Sequence, residues 1–347
     1  MSETFPAAYL PLLCCPGCGG ALGIAPGTSE LTCTRCAAAY PVGDGIAELS
    51  REARFDRVTA TVQRFYTEAP FPGYPPRDSL AALRRRAERS EFARLLDQAI
   101  APDARVLEMG CGTGQMSLFL ARHQRQVVGA DLTRASLSLA AAAARRFGLD
   151  AGGRVVFVQT DLAAPGLQPG AFDVVYCSGV LHHTADPAES FRRLCRLCRP
   201  GGIVVVGLYN AYARLPHRFR RWLARLTGYR RFPLDNVLRD RSAEPERQKA
   251  WLRDQYLHPQ EHRHTLAQVQ RWFAESGIAY LRAYPDTLIA AAPLAGADLF
   301  TAAEDNWALE NLWAQLCWMV PLGQEGGLFV TIGQKQGAAE TARPALG

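Results

Sequence analysis

Five short apolar runs constrain this chain more than any other feature: RVLEMG (105–110), QVVGAD (126–131), RVVFVQ (154–159), FDVVYCS (172–178) and GIVVVGLY (202–209). Each is a near-continuous block of β-branched and aliphatic residues, as strands buried on both faces are. Helix-period segments separate them. Strands alternating with helices imply an α/β fold, a parallel sheet with helices on both faces. Ligands of such sheets bind at the carboxyl ends of the strands, so the last residue of each run is the place to look for chemistry.

The first run ends in Glu108-Met-Gly110-Cys111-Gly112-Thr-Gly114-Gln. A dinucleotide turn of the form G-x-G-x-x-G would place its third glycine at position 115, where this chain has Gln. The spacing here is E-x-G-x-G-x-G. A carboxylate next to the glycines repels a pyrophosphate and attracts a cation. From Arg105 to Leu208 the segment resembles the class I S-adenosylmethionine-dependent methyltransferases. That resemblance implies a Rossmann-like sheet and S-adenosyl-L-methionine as cofactor. It also implies roles for residues at four strand ends. Glu108, Gly110, Cys111, Gly112 and Gly114 form the cofactor turn, and Asp131 with Leu132 takes the ribose hydroxyls. Asp161 and Leu162 hold the adenine, while the backbone of Cys177 and Ser178 meets the methionine ammonium.

Ahead of this core, Cys15, Cys18, Cys33 and Cys36 form C-x2-C-x14-C-x2-C. Two knuckles of this kind supply four thiolates, which closes a structural zinc site and leaves no position for a catalytic water. Cys14 offers a competing register. The segment, with its trailing Tyr40-Pro41 and Asp44-Gly45-Ile46, is similar to the zinc ribbons of Trm112-like proteins. Those ribbons accompany or activate methyltransferases. The expected organisation is a zinc ribbon over 1–50, a helical linker and cap over 51–100, and a methyltransferase domain over 101–335. An inserted helical lid occupies 209–276, and a disordered tail covers 336–347. The paired cysteines Cys195 and Cys198 read as core packing, because the apolar residues around them have helical period.

The acceptor is less legible. After the fourth strand the chain reads Ser178-Gly179-Val180-Leu181-His182-His183. The N/D-P-P-Y signature of amino methylation is missing there, and His183 is the candidate base, the competing role being a bond to the loop backbone. The insertion carries seven arginines and no acid between Asn210 and Arg231. Phe219, Trp222, Leu223 and Leu226 lie within it at helical spacing, as if packed on the core with the arginines outward; the alternative is a surface that binds an anionic substrate, RNA or a membrane. Asp254, His258, Glu261, His262 and His264 precede a helix capped by Thr265, and read as substrate wall or helix entry. Trp307, Trp313 and Trp318 are expected in the core.

A net charge of +6 is mild for a nucleic-acid binder. No apolar run reaches membrane-span length and no signal peptide is apparent, so the reading places the chain in the cytoplasm. The expected activity is methylation of a small-molecule acceptor on O, N or C. The alternatives are tRNA or rRNA methylation, with ribbon and arginines gripping phosphates, and a non-catalytic activator of a partner protein. The sequence assigns no oligomeric state.

Overall fold

Each of the five apolar runs forms a strand, and together they build the centre of one sheet. The computed structural model describes residues 5–24, 29–50, 55–71, 78–150, 153–229, 232, 235–239, 245–287, 294–303, 307–320, 322 and 326–337. The expected tail beyond residue 337 lies outside the described residues, as do Arg230 and Arg231 of the arginine run.

In chain order, a 3-10 turn (Ala7–Leu12) leads into β1 (Leu22–Ile24), β2 (Glu30–Cys33), β3 (Ala39–Gly43) and β4 (Ile46–Glu48). Helices α1 (Arg57–Glu68), α2 (Leu80–Glu88) and α3 (Glu91–Ala99) follow. The core then runs β5 (Arg105–Met109), α4 (Gln115–Leu120), β6 (Gln126–Asp131), α5 (Arg134–Arg146), β7 (Val155–Gln159), β8 (Phe172–Ser178), α6 (Pro187–Leu197) and β9 (Cys198–Tyr209). The insertion holds α7 (Leu215–Leu226), α8 (Asn236–Arg239), α9 (Pro245–Leu252) and a π-helical turn, Arg253–Leu257. The chain closes with α10 (Leu266–Glu275), β10 (Ile278–Tyr284), α11 (Ala308–Cys317) and β11 (Leu328–Lys335).

Strand order among the described residues is β1-β2-β3-β4-β7-β6-β5-β8-β9-β11-β10. β4 through β9 pair parallel across the middle, and β11 lies antiparallel between β9 and β10. The order reverses at β5, whose neighbours are β6 and β8. A crevice opens at such a reversal because the connections leave in opposite directions.

Successive residues of a strand face opposite layers, and the core divides accordingly. Leu107, Val128, Val156 and Val175 point to one side, with Phe191 of α6 and Trp272 and Phe273 of α10. Val106, Val127, Val155 and Val174 point to the other, with Leu95 and Leu96 of α3 and Leu137 of α5. Cys195 and Cys198 are buried in the first layer, as expected, although α6 ends at Leu197 and Cys198 opens β9.

The cysteine segment is part of this sheet. β3 and β4 form a hairpin around Asp44-Gly45, both with positive φ (53° and 75°), the conformation of a type I′ turn. β4 then pairs parallel with β7, Ile46 opposite Phe157 and Ala47 opposite Val158. Leu13 bridges Leu167, the Cys14 amide donates to the Gly166 carbonyl at 3.1 Å, and Tyr9 Oη donates to the Gly153 carbonyl at 2.9 Å. Arg134 ties the hairpin down through the Gly43 carbonyl and Glu48, at 2.7 and 2.9 Å.

Two amphipathic helices contradict the sequence reading of their buried faces. In α7 the buried side chains are His217, Arg220 and Ala224, while Phe219, Trp222 and Leu226 stand 55%, 54% and 67% exposed. Of the three tryptophans expected in the core, Trp318 is buried, but Trp307 and Trp313 are 81% and 58% exposed. Periodicity fixes the phase of a helix. It does not say which face turns inward when a polar network competes for it.

Candidate active site and metal centre

A cavity of about 600 Å³ opens at the carboxyl ends of β5, β6, β7 and β8. The glycine turn after β5 forms its floor. Gly110 has φ +76°, and a Cβ there would lie 2.2 Å from Val180 Cγ2, so only glycine fits between β5 and the loop after β8. Gly114 caps α4 at φ +75°.

Glu108, Gly110, Cys111, Gly112, Asp131, Leu132, Asp161, Leu162, Ser178 and His183 all line this one cavity. Gly114 and Cys177 do not. Gly114 shapes the turn, and the Cys177 thiol is fully buried in the core layer.

Asp131 Oδ2 accepts the Gly112 amide and Oδ1 the Thr133 amide, both at 2.8 Å. The Thr133 hydroxyl and the Leu132 amide also act on this carboxylate, so its orientation at the cavity is fixed from its own loop. Asp161 Oδ1 accepts the Ala163 amide at 2.9 Å. Burial raises the pKa of both carboxyls, opposed by these amides. Glu108 accepts from the Ser117 hydroxyl. Burial pushes its carboxyl up to about 8 against that bond, and the neighbouring charge of Asp131 adds to the rise. Two buried carboxyl groups side by side favour a cation and disfavour a phosphate. The acidic lining therefore fits a positively charged ligand.

The other half of the cavity comes from α1 and the insertion. Tyr66, Tyr209, Trp251, Asp254 and Gln255 line it beside His183. Tyr66 Oη donates to Asp254 Oδ1 at 2.8 Å, and Gln255 Nε2 donates to Asp254 Oδ2 at 2.8 Å and to Tyr209 Oη at 2.9 Å. His183 Nδ1 lies 2.7 Å from the Gln260 carbonyl. A carbonyl cannot donate, so Nδ1 carries the proton and Nε2 keeps the lone pair. Burial lowers the His183 pKa to about 4 despite that bond, so the ring is neutral at physiological pH. Its ring stacks on His258 at 3.6 Å.

Sequence reasoning singled out Asp254 and His183 but not Tyr66, Gln255 or Gly179, which also line the cavity. Tyr66 and Gln255 arrive from segments far apart in sequence, and no local spacing marks them. The remaining members of the 254–264 cluster are structural. Glu261 pairs with Arg214 at 2.8 Å, the His262 amide donates to the His182 carbonyl, and His264 meets Gln268. Thr265 caps α10 by accepting the Gln268 amide.

At the other end of the sheet, the sulfurs of Cys15, Cys18, Cys33 and Cys36 lie within 4.8 Å of one another, the one such group of potential metal ligands found among the described residues. The closest pairs are Cys18–Cys33 at 3.5 Å and Cys15–Cys36 at 3.7 Å. Four thiolates around zinc at about 2.3 Å stand roughly 3.8 Å apart, so the group fits that ion. The amides of Gly17 and Arg35 donate to Cys15 and Cys33 sulfurs at 3.4 Å each, and the Tyr40 hydroxyl sits 3.0 Å from Cys15 Sγ. The competing register is closed: Cys14 Sγ donates to the Leu167 carbonyl at 3.2 Å, and burial pushes its thiol up to about 11.

Comparison with known proteins finds matches to both parts of the chain. Residues 107–206 match the family described as a methyltransferase domain, and residues 8–45 match the Trm112p-like proteins. An uncharacterised protein of Synechococcus sp. is 29% identical over 65% of this chain and 60% of its own length. The ubiquinone biosynthesis O-methyltransferase of Bordetella pertussis is 41% identical over 30% of this chain and 43% of its own. The chain thus spans about half the length of the curated relatives it matches. Among solved structures, geranyl diphosphate C-methyltransferase from Streptomyces coelicolor A3(2) superposes with a TM-score of 0.46 at 14% identity, covering 81% of this chain and 98% of that one. No helix among the described residues is long and apolar enough to cross a membrane.

Proposed function

We propose that this chain, which joins a methyltransferase domain to a Trm112p-like ribbon, transfers a methyl group from S-adenosyl-L-methionine to an oxygen of a small, largely apolar acceptor. One observation carries the reading. A single cavity places the acidic strand ends Glu108, Asp131 and Asp161 beside a wall of Tyr66, His183, Tyr209 and Asp254. Two reactants held side by side convert an encounter into an oriented, near-unimolecular step.

S-Adenosylmethionine, when bound, supplies an electrophilic methyl group on a sulfonium. The protein's part is to hold, align and deprotonate. Asp131 would take the ribose hydroxyls, and Asp161 with the Leu162 amide would receive the adenine. The Ser178 backbone takes the ammonium. A cation entering beside Glu108 would favour its charged form and so offset the burial that raises its pKa.

On the acceptor side, His183 is the base. Its Nδ1–H is fixed on the Gln260 carbonyl, and Nε2 receives the acceptor's hydroxyl proton as the oxygen is methylated. Burial keeps the ring neutral, with Nε2 able to accept a proton, and so weak a base would need an acceptor hydroxyl more acidic than an alkyl alcohol. The apolar walls, Val62, Phe71, Leu83 and Met116, suit a hydrophobic body. The relatives named as O-methyltransferases support oxygen over nitrogen or carbon. The ribbon holds zinc as scaffolding, with the methyl chemistry far from it, and the enzyme works in the cytoplasm.

The RNA reading loses part of its footprint. Arg220 is buried, and Arg221 is 3.6 Å from Glu261 in an ion pair. The test is a methyl-transfer assay against a panel of hydrophobic phenols and against total tRNA and rRNA. Label in a phenol, reduced about 100-fold by His183→Ala with unchanged S-adenosylhomocysteine affinity, is the expected result. Label in RNA alone would overturn it.

A further inference from the structure

Helix α7 is built with its polar side inward. Arg214, just before its first turn and fully buried, donates to Glu261 at 2.8 Å, Gln255 Oε1 at 2.6 Å and the Gly326 carbonyl at 2.5 Å. His217 Nε2 donates to the Gln255 carbonyl at 2.9 Å. These bonds seat the helix on the 253–261 segment and leave Leu215, Phe219, Trp222 and Leu226 on the outer face. Their spacing of four, three and four residues is one continuous helical stripe. All four are exposed, and the Phe219 and Trp222 rings stack at 5.8 Å. Arg218 and Arg225 flank the stripe, both exposed, and no acid occurs from Asn210 to Arg231.

We infer that this face of α7 docks on the surface of an anionic phospholipid bilayer, with Phe219, Trp222 and Leu226 among the acyl chains and Arg218 and Arg225 at the headgroups. Aromatic rings beside aliphatic ones, bordered by arginine, suit an interface that is apolar below and negatively charged above. Charge excludes the competing occupants. A second copy meeting this helix about a two-fold axis would set arginine against arginine. Among the described residues of α7, RNA would find two exposed arginines, Arg218 and Arg225, around an apolar stripe of two leucines, a phenylalanine and a tryptophan, too few charges to neutralise several phosphates. The other exposed stripe, Leu309, Leu312, Trp313 and Leu316 on α11, carries Glu310 and no basic residue, so it lacks the complementary charge. The inference stands on α7 alone and does not depend on the reaction assigned to the cavity.

The test is co-sedimentation of the full chain with vesicles of equal phosphatidylglycerol and phosphatidylcholine, compared with pure phosphatidylcholine. Binding should be stronger on the anionic vesicles by about tenfold or more and weaken at high salt. The triple variant Phe219→Ser, Trp222→Ser, Leu226→Ser should lose binding by a similar factor, as should Arg218→Glu with Arg225→Glu. Both variants should keep the wild-type unfolding temperature, since the altered side chains are exposed. Brominated lipids should quench wild-type fluorescence more than that of Trp222→Phe. Failure of the wild type to bind anionic vesicles at low salt, or equal binding by the triple variant, overturns the inference. So does a dimer in sedimentation velocity that dissociates in the Trp222 variant, or a total-RNA complex lost in the arginine variant at salt where vesicles do not bind.

Discussion

Glu108 shows how a single residue ties this fold to its ligand. Its side chain is nearly inaccessible, hydrogen-bonded to Ser117 and close to a second carboxyl, so the folded protein binds its proton more tightly than the unfolded chain does. The sign follows from linkage. With a folded pKa of about 8 against an ordinary glutamate near 4.3, the contribution to stability is full below the lower value. It is lost as pH rises through the upper one. Urea unfolding of the ligand-free protein should therefore show a decline between roughly pH 5 and pH 8.5, worth a few kcal/mol. Glu108→Gln should remove that part of the decline. An identical pH profile in the variant would show that Glu108 ionises freely in the fold. The sequence reached Glu108, Asp131 and Asp161 because each lies at or within two residues of a strand's end and needs no partner to be noticed. It did not reach Tyr66 or Gln255, whose place in the cavity is set by contacts with Asp254, 188 residues away in the one case and adjacent in the other.

At the scale of elements, the strands and the glycine turn were legible because a buried strand must be apolar throughout and a tight turn must be glycine. Facing was not. Arg214, at the head of α7, looks like part of a solvated surface until Glu261 and Gln255 supply buried partners, and only tertiary contact provides those. Nor does the cysteine spacing foretell that β4 extends the main sheet beside β7. The four-sulfur group lies at the base of the same β-hairpin segment, so the metal should brace that edge. Removal of zinc by a strong chelator, or Cys15→Ser, should lower the unfolding temperature by several degrees and release amide protection in β4 and β7, with a smaller effect on cofactor affinity. Hydrogen exchange restricted to the knuckles, leaving β7 protected, would mean that the ribbon is energetically separate from the core.

Taken whole, the molecule is one sheet with a division of labour along it. The four cysteines sit towards one edge, the reversal at β5 opens the crevice, and α1, the loop after β8 and the insertion close the far side with tyrosine, imidazole and carboxylate. The central claim is that this crevice holds the adenosyl cofactor with Asp131 on its ribose. The most direct measurement is calorimetric titration of S-adenosylhomocysteine into the wild type and into Asp131→Ala. The account predicts one site per chain in the wild type and a loss of about 1–3 kcal/mol in the variant, because a buried charged acceptor of two hydroxyls is gone. Absence of binding to the wild type, or wild-type affinity in a folded Asp131→Ala, would contradict it.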